Sequence, residues 1–243
     1  MTSTAVTLIT VIADLCLAAI LVAGIAYAAR AERNPAVLWI GGAGVISWFA
    51  VAVLLAHGGV YETTPDSAVP PAIAAGIVIP TLLACALLAL APARRAIGRL
   101  PLHWLVGVQA YRVVGGVFLI ALAQGDVPAE FALPAGIGDV LIGLAAPYVA
   151  VRLARDGVER AWGWVAGWCA LGLLDLVVAV GMGFLTAPSA VQQLALGDPN
   201  AAITAYPLVL IPTFAVPASI ALHVYVLARL RRRPQAVAQP RIA

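Results

Sequence analysis

The chain has 243 residues, 63% of them hydrophobic and only 10% charged, with a mean hydropathy of +1.01. A soluble domain carries about 25% charged residues, so a water-soluble globular fold is excluded and an integral membrane protein is indicated. A formal charge of +3 and a pI near 9.0 would point to an acidic partner in a soluble protein; here the placement of the charges carries the information, and no nucleic-acid partner is expected.

All fourteen basic residues are Arg. A Lys Schiff base, a Lys nucleophile and a phosphate-loop Lys are therefore impossible. Cys16, Cys85 and Cys169 fall inside apolar runs without metal-ligand spacing and read as small core residues. No cofactor and no metal site is expected.

Runs of about twenty apolar residues, each long enough to cross a hydrocarbon core of roughly 30 Å as a helix, recur along the whole chain. The first span, near 4-29, has no positive stretch before it and is too long for a cleaved signal; it holds Asp14 in line with Thr7, Thr10 and Ala18 and ends at Arg30 and Arg33. The second, near 35-57, starts by Trp39 and ends at His57. The third, near 69-91, contains Ile79-Pro80-Thr81 and leads to Arg94, Arg95 and Arg99. The fourth, near 101-123, carries His103, Trp104 and, at mid-depth, Gln109 and Arg112.

The fifth span, near 134-154, places Asp139 on a stripe with Ala132, Ala135, Gly136, Gly143 and Ala146, small residues that let another helix come close. Asp139 therefore faces inward. The sixth, near 161-186, sets Asp175 in line with Trp164, Trp168 and Met182, which predicts a large-residue wall and names Trp164 and Trp168 as pocket lining. The seventh, near 203-228, contains Pro207, Ile211-Pro212-Thr213 and Pro217 and should be kinked; residues 229-243 form a basic cytoplasmic tail. The whole of 1-243 reads as one transmembrane domain.

Thirteen Arg lie in alternate loops or their flanks, while Glu62, Asp66, Asp126, Glu130 and Asp198 occupy the others. The positive-inside rule then places the N-terminus outside and the C-terminus in the cytoplasm, in the inner membrane of a bacterium. Trp39, Trp104, Trp162 and Trp164 sit near the cytoplasmic ends of their spans, where indoles prefer the headgroup level. The shared Ile-Pro-Thr of spans three and seven fits a 3+1+3 duplication with span four as linker.

Ionisable side chains inside spans face the bundle interior and pair. Arg112, Asp14, Asp139 and Asp175, with Gln109 and Gly116 on the Arg112 face, form the candidate ligand or proton site. Three acids against one Arg require a proton, water or a cation to balance a dry site. His57 falls at the outer face, and His103 and His223 near the inner ends of their spans, which reads as interfacial or packing imidazole rather than metal or haem ligation.

The stretch from Gln109 and Arg112 through Pro128, Phe131, Pro134 and Gly136 to Gly138-Asp139 resembles one found in bacterial polytopic membrane proteins of unknown function. Span count and orientation also resemble small sugar carriers built from two three-helix bundles, although their Pro-Gln motif is missing from the spans. The seven-span zinc hydrolases are similar in topology only, since their His-x3-His spacing is missing. The sequence thus reads as an all-α seven-helix membrane bundle, in contact with lipid, that binds a small molecule or lipid. The expected role is a small-molecule carrier, with proton coupling at the Arg/Asp site as one form of it, or a ligand-binding membrane protein; an intramembrane enzyme for a lipid or isoprenoid and a non-catalytic subunit are the alternatives.

Overall fold

The computed structural model describes residues 2–67 and 71–232. The start of the predicted third span and Arg233 and Arg241 of the basic tail lie outside the described residues. Six helices among those described are long and apolar enough to cross a membrane, and no strand is present among them.

Helix α1 (Thr4–Glu32) starts where the Ser3 hydroxyl accepts from the Val6 amide at 3.3 Å, and ends at Arg33 in the left-handed conformation. Asn34 then caps α2 (Pro35–His57), whose Pro35 occupies a first-turn position where its missing N–H costs nothing. Helix α3 (Ala72–Ala89) tolerates Pro80 in its interior, and the hydroxyl of Thr81 donates to the Ile77 carbonyl at 2.6 Å. The short α4 (Ala91–Gly98) is amphipathic, with Ala96 buried and Arg95 exposed, as befits a helix lying at an interface.

The fourth predicted span is three pieces: α5 (Leu102–Gly107), a 3-10 helix over Val108–Gly116, and α6 (Val117–Ala123). Runs of 3-10 helix longer than three or four residues are uncommon. With three residues per turn, this one stacks Gln109, Arg112 and Gly115 on one line, and these are its buried residues. The expected partner Gly116 is turned away from that line because the expectation assumed 3.6 residues per turn.

Helix α7 (Ala129–Thr186) has 58 residues, about 87 Å if straight and far beyond a bilayer core. Gly157, at φ 76° and ψ 168°, breaks it. The arms 129–156 and 158–186 run back to back: Trp168 reaches the Ile142 carbonyl at 3.1 Å, and Gly138 lies against Asp175. The last predicted span starts later than expected. Residues 202–210 are apolar but form a short 3-10 turn and irregular turns; the helix proper begins with a π turn, Ile211–Ala215, and continues as α8 (Val216–Arg231). Pro212 and Pro217 explain the irregular start, since neither has an amide to continue the ladder. The carbonyl of Thr213, which Pro217 cannot bond, accepts from the Trp48 indole at 3.2 Å.

The outer surface is apolar. Ile40, Leu54, Leu82, Leu141, Leu174 and Val177 are all exposed, as a hydrocarbon solvent allows. Cys16 is exposed rather than core, and only Cys169 is fully buried. The two ends differ in charge. At one, Arg99 pairs with Glu32 at 2.6 Å and Arg229 donates to the Leu100 carbonyl at 2.7 Å. At the other, Thr63 meets Thr204, and the rings of His57 and Tyr206 stack at 3.9 Å.

The Gly157 conformation is one that essentially only glycine adopts, and a Cβ there would meet nothing within 4 Å. Gly157→Ala should therefore cost about 1–3 kcal/mol through the backbone alone. Thermal unfolding in detergent measures it; an unchanged midpoint would mean that the break lies elsewhere.

Candidate functional site around Arg112

The buried side chain of Arg112 projects from the 3-10 segment into the space between the two arms of α7 and helix α8. Its Nε donates to Asp139 Oδ1 at 2.7 Å, and Nη2 lies 2.7 Å from the same oxygen. Nη2 also donates to Asp175 Oδ2. Nη1 donates to the Gly172 carbonyl at 3.2 Å and faces His223 Nε2 at 3.3 Å. A guanidinium has five N–H groups and no acceptor; four are hydrogen-bonded here, Nη2 also makes ion-pair contact with Asp139, and His223 must accept at Nε2. Its proton is then on Nδ1, which has no partner among the described residues.

Glycines make this contact possible. A Cβ on Gly115 would strike the Cβ and carboxylate of Asp139, and one on Gly138 would strike the Asp175 carboxylate. At Gly172 it would lie 2.6 Å from His223 Nε2, and at Gly143 2.6 Å from the Val113 amide nitrogen. Helix backbones approach closely where such small residues face each other, and only then can one guanidinium reach three helical segments.

Asp139 and Asp175 are thus brought to Arg112 as the helical spacings imply. Asp14 is near but separate: it lines a cavity of about 30 Å³ with Thr10, Tyr111, Arg112, Asp139 and Ser219, yet its Oδ2 and the Thr10 hydroxyl have no hydrogen-bond partner among the described residues. That volume admits a water or two and nothing larger. A second small cavity, about 40 Å³, also touches Asp139 and shares Leu176, Ile211 and Val216 with the first.

Gln109 does not join the ionic cluster. Its amide clamps α8 instead, donating to the Ser219 carbonyl at 3.2 Å and accepting from the Ser219 hydroxyl at 3.0 Å. Tyr111 reinforces the clamp by donating to the Ala215 carbonyl at 2.9 Å.

Two expectations need correction. Trp168 is buried and its ring lies 4.8 Å from that of His223, but Trp164 is 58% exposed and lines no part of the site. It sits seven residues after the Gly157 break and its indole is exposed, as are those of Trp39, Trp104 and Trp162. His223 is not an interfacial imidazole: it is fully buried against Arg112, while His103 packs edge-on to Trp104 at 6.4 Å. The late start of the last helix shifts His223 toward mid-span. The sequence reading did not assign His223, Ser219, Tyr111, Gly115 or Gly172 to the site, yet one signal was legible, the polar pair Ser219 and His223 four residues apart in the apolar first half of the helix.

Residues 70–231 match the family described as a domain of unknown function, DUF8737. The chain belongs to the DUF8737 family. The matched range holds Arg112, Asp139, Asp175 and His223, whereas Asp14 precedes it. No curated protein and no solved structure matches the chain. The DUF8737 chain is accordingly a helical membrane protein with a buried Arg112 site, and the family brings no activity with it.

Gly115→Ala should overpack the cluster and lower stability by about 1–3 kcal/mol. Gly163→Ala, where a Cβ meets nothing within 4 Å, should leave stability unchanged or slightly raised. Paired melting curves in one detergent decide; equal effects would mean that the close approach at Asp139 is not a constraint.

Proposed function

We propose that this DUF8737 protein is a proton-coupled small-molecule carrier of the bacterial inner membrane, a seven-span bundle with its N-terminus outside, in which Asp14, Arg112, Asp139 and Asp175 form the proton site. The observation that carries this reading is the surplus acid. Two carboxylates share one guanidinium, and a third faces the same water-sized cavity with an oxygen left unpartnered among the described residues. A proton reaches such a cavity through water, and an organic solute does not fit it.

Helix α8 is the element that would couple this site to a solute. Ala215, Val216 and Ser219 line the small polar cavity, and Thr213, Ala218 and Leu222 of the same segment line a much larger chamber on its other side. The π turn and Pro217 free the segment from a continuous helical ladder, so a change at Asp14 has a deformable wall to act on. The separation of basic and acidic ends supports the orientation, and the two arms of α7 supply spans five and six.

The saturation of Arg112 favours a second reading, a fixed ion cluster that locks the bundle of a non-catalytic subunit. Proton uptake separates them. On acidification, liposome-reconstituted protein should take up about one proton more than Asp14→Asn, as linkage requires if water reaches that carboxyl and it titrates reversibly. Equal uptake would leave the fixed cluster. A paired neutralisation adds a stability readout: Arg112→Ala alone should lose about 3–5 kcal/mol by stranding two acids. Arg112→Gln with Asp139→Asn and Asp175→Asn should recover most of that.

Orientation has its own check. Single cysteines at positions 59 and 197, in a background without the native thiols, should react with an impermeant maleimide in intact cells. Those at 97 and 157 should not, and the opposite pattern would invert the bundle.

A further inference from the structure

Between α2 and α3 the molecule holds a chamber of about 1440 Å³, larger than the 300–1,000 Å³ typical of small-molecule sites. Helix α2 packs along α1 and touches the π turn but does not pack along α3, so the chamber opens sideways toward lipid. Its α2 wall extends from Ala36 to Leu55, about 29 Å of helix rise, close to the full hydrocarbon thickness.

The wall is almost wholly apolar, and Arg30 is the one charged side chain lining it among the described residues. Ile20, Tyr27 and Arg30 follow one another along one face of α1. Tyr27 packs edge-on to Trp104 at 5.1 Å beside the same mouth, where aromatic rings mark the headgroup level. Arg99 is taken by Glu32, Arg94 by the Ala89 carbonyl and Arg229 by the Leu100 carbonyl, and none of these lines the chamber. The exposed Arg30 guanidinium makes no hydrogen bond or ion pair among the described residues. An apolar bore with a single unneutralised cation at one end is complementary to an amphiphile with one anionic head.

We propose that this chamber binds an anionic phospholipid of the cytoplasmic leaflet, its phosphate on Arg30 and its acyl chains between α2 and α3. The guanidinium supplies paired donors for phosphate oxygens, and the lateral opening lets the lipid enter from the bilayer without crossing a polar surface. Arg30 lies apart from the Arg112 cluster, so this binding is independent of proton coupling, and only the choice of leaflet rests on the orientation proposed above.

Native mass spectrometry of the full chain, released from nanodiscs containing equal dioleoyl phosphatidylglycerol and dioleoyl phosphatidylcholine, tests it. The wild-type protein should retain the anionic lipid in preference, and Arg30→Gln should reduce that preference about fivefold. Arg95→Gln, exposed and outside the chamber, should leave it unchanged. Gly44→Phe, placed on the chamber wall where a Cβ meets nothing within 4 Å, should reduce retention of both lipids while the melting temperature holds. Equal retention of the two lipids by the wild type, an equal loss in Arg95→Gln, or a lipid-free dimer as the sole species would each overturn the proposal.

Discussion

The molecule is organised around one guanidinium. A charged group buried among apolar helices has no bulk water to fall back on, so Arg112 can be stable only if its N–H groups find acceptors inside the protein. The acceptors come from three places, the two arms of α7 and helix α8, and that fixes how those elements pack. The glycines at 115, 138, 143 and 172 follow from the same requirement, because each removes a Cβ that would hold the segments too far apart. The 3-10 winding of Val108–Gly116 aligns Gln109 and Arg112 so that one face grips α8 while it reaches the acids.

Much of this was legible in the sequence where a regular helix carried the pattern. Asp139 shares its buried face with Ala132, Ala135, Gly136, Gly143 and Ala146, as a period of 3.6 implies. Asp175 meets Arg112 for the same reason. The reading failed where the helix is not regular or not enclosed. Gly116 was assigned to a face that a three-residue period gives to Gly115. His223 was placed too near the membrane surface because apolar residues 203–210 were counted as helix, although they form turns. Trp164 lies on the predicted stripe, but a stripe says nothing about where the neighbouring helix ends. Hydropathy reports apolar length; it does not distinguish α, 3-10 and π backbone.

The matched Ile-Pro-Thr segments show how one tripeptide serves two backbones. In both, the Thr hydroxyl donates to the carbonyl four residues back, Thr81 to Ile77 at 2.6 Å and Thr213 to Val209 at 2.7 Å. Around Pro80 the chain stays α-helical, whereas Pro212 sits in a π turn followed within five residues by Pro217. The second proline removes another amide and leaves Thr213 O to the Trp48 indole, which ties α2 to the last helix. Local chemistry is alike at the two sites, and the difference in backbone comes from the residues that follow.

The last helix thereby separates two compartments of opposite character. On one side is a water-sized cavity with two acids, Asp14 and Asp139, and an arginine; on the other is a bore of about 1440 Å³ with apolar walls and a lone cation at its end. Water in the first would be stabilised by polar partners, and water in the second would have almost none, so hydrocarbon is the natural filling of the larger space. Gln109 and Arg112 hold α8 from the polar side through Ser219 and His223, while on the chamber side Trp48 bonds the π turn at the Thr213 carbonyl and, nearer the basic end, Tyr225 and Arg229 donate to the Arg94 and Leu100 carbonyls. The wall is therefore anchored asymmetrically. The polar side holds the helix the more firmly, because dispersion contacts along an apolar wall resist displacement far less than buried hydrogen bonds to a fixed charge.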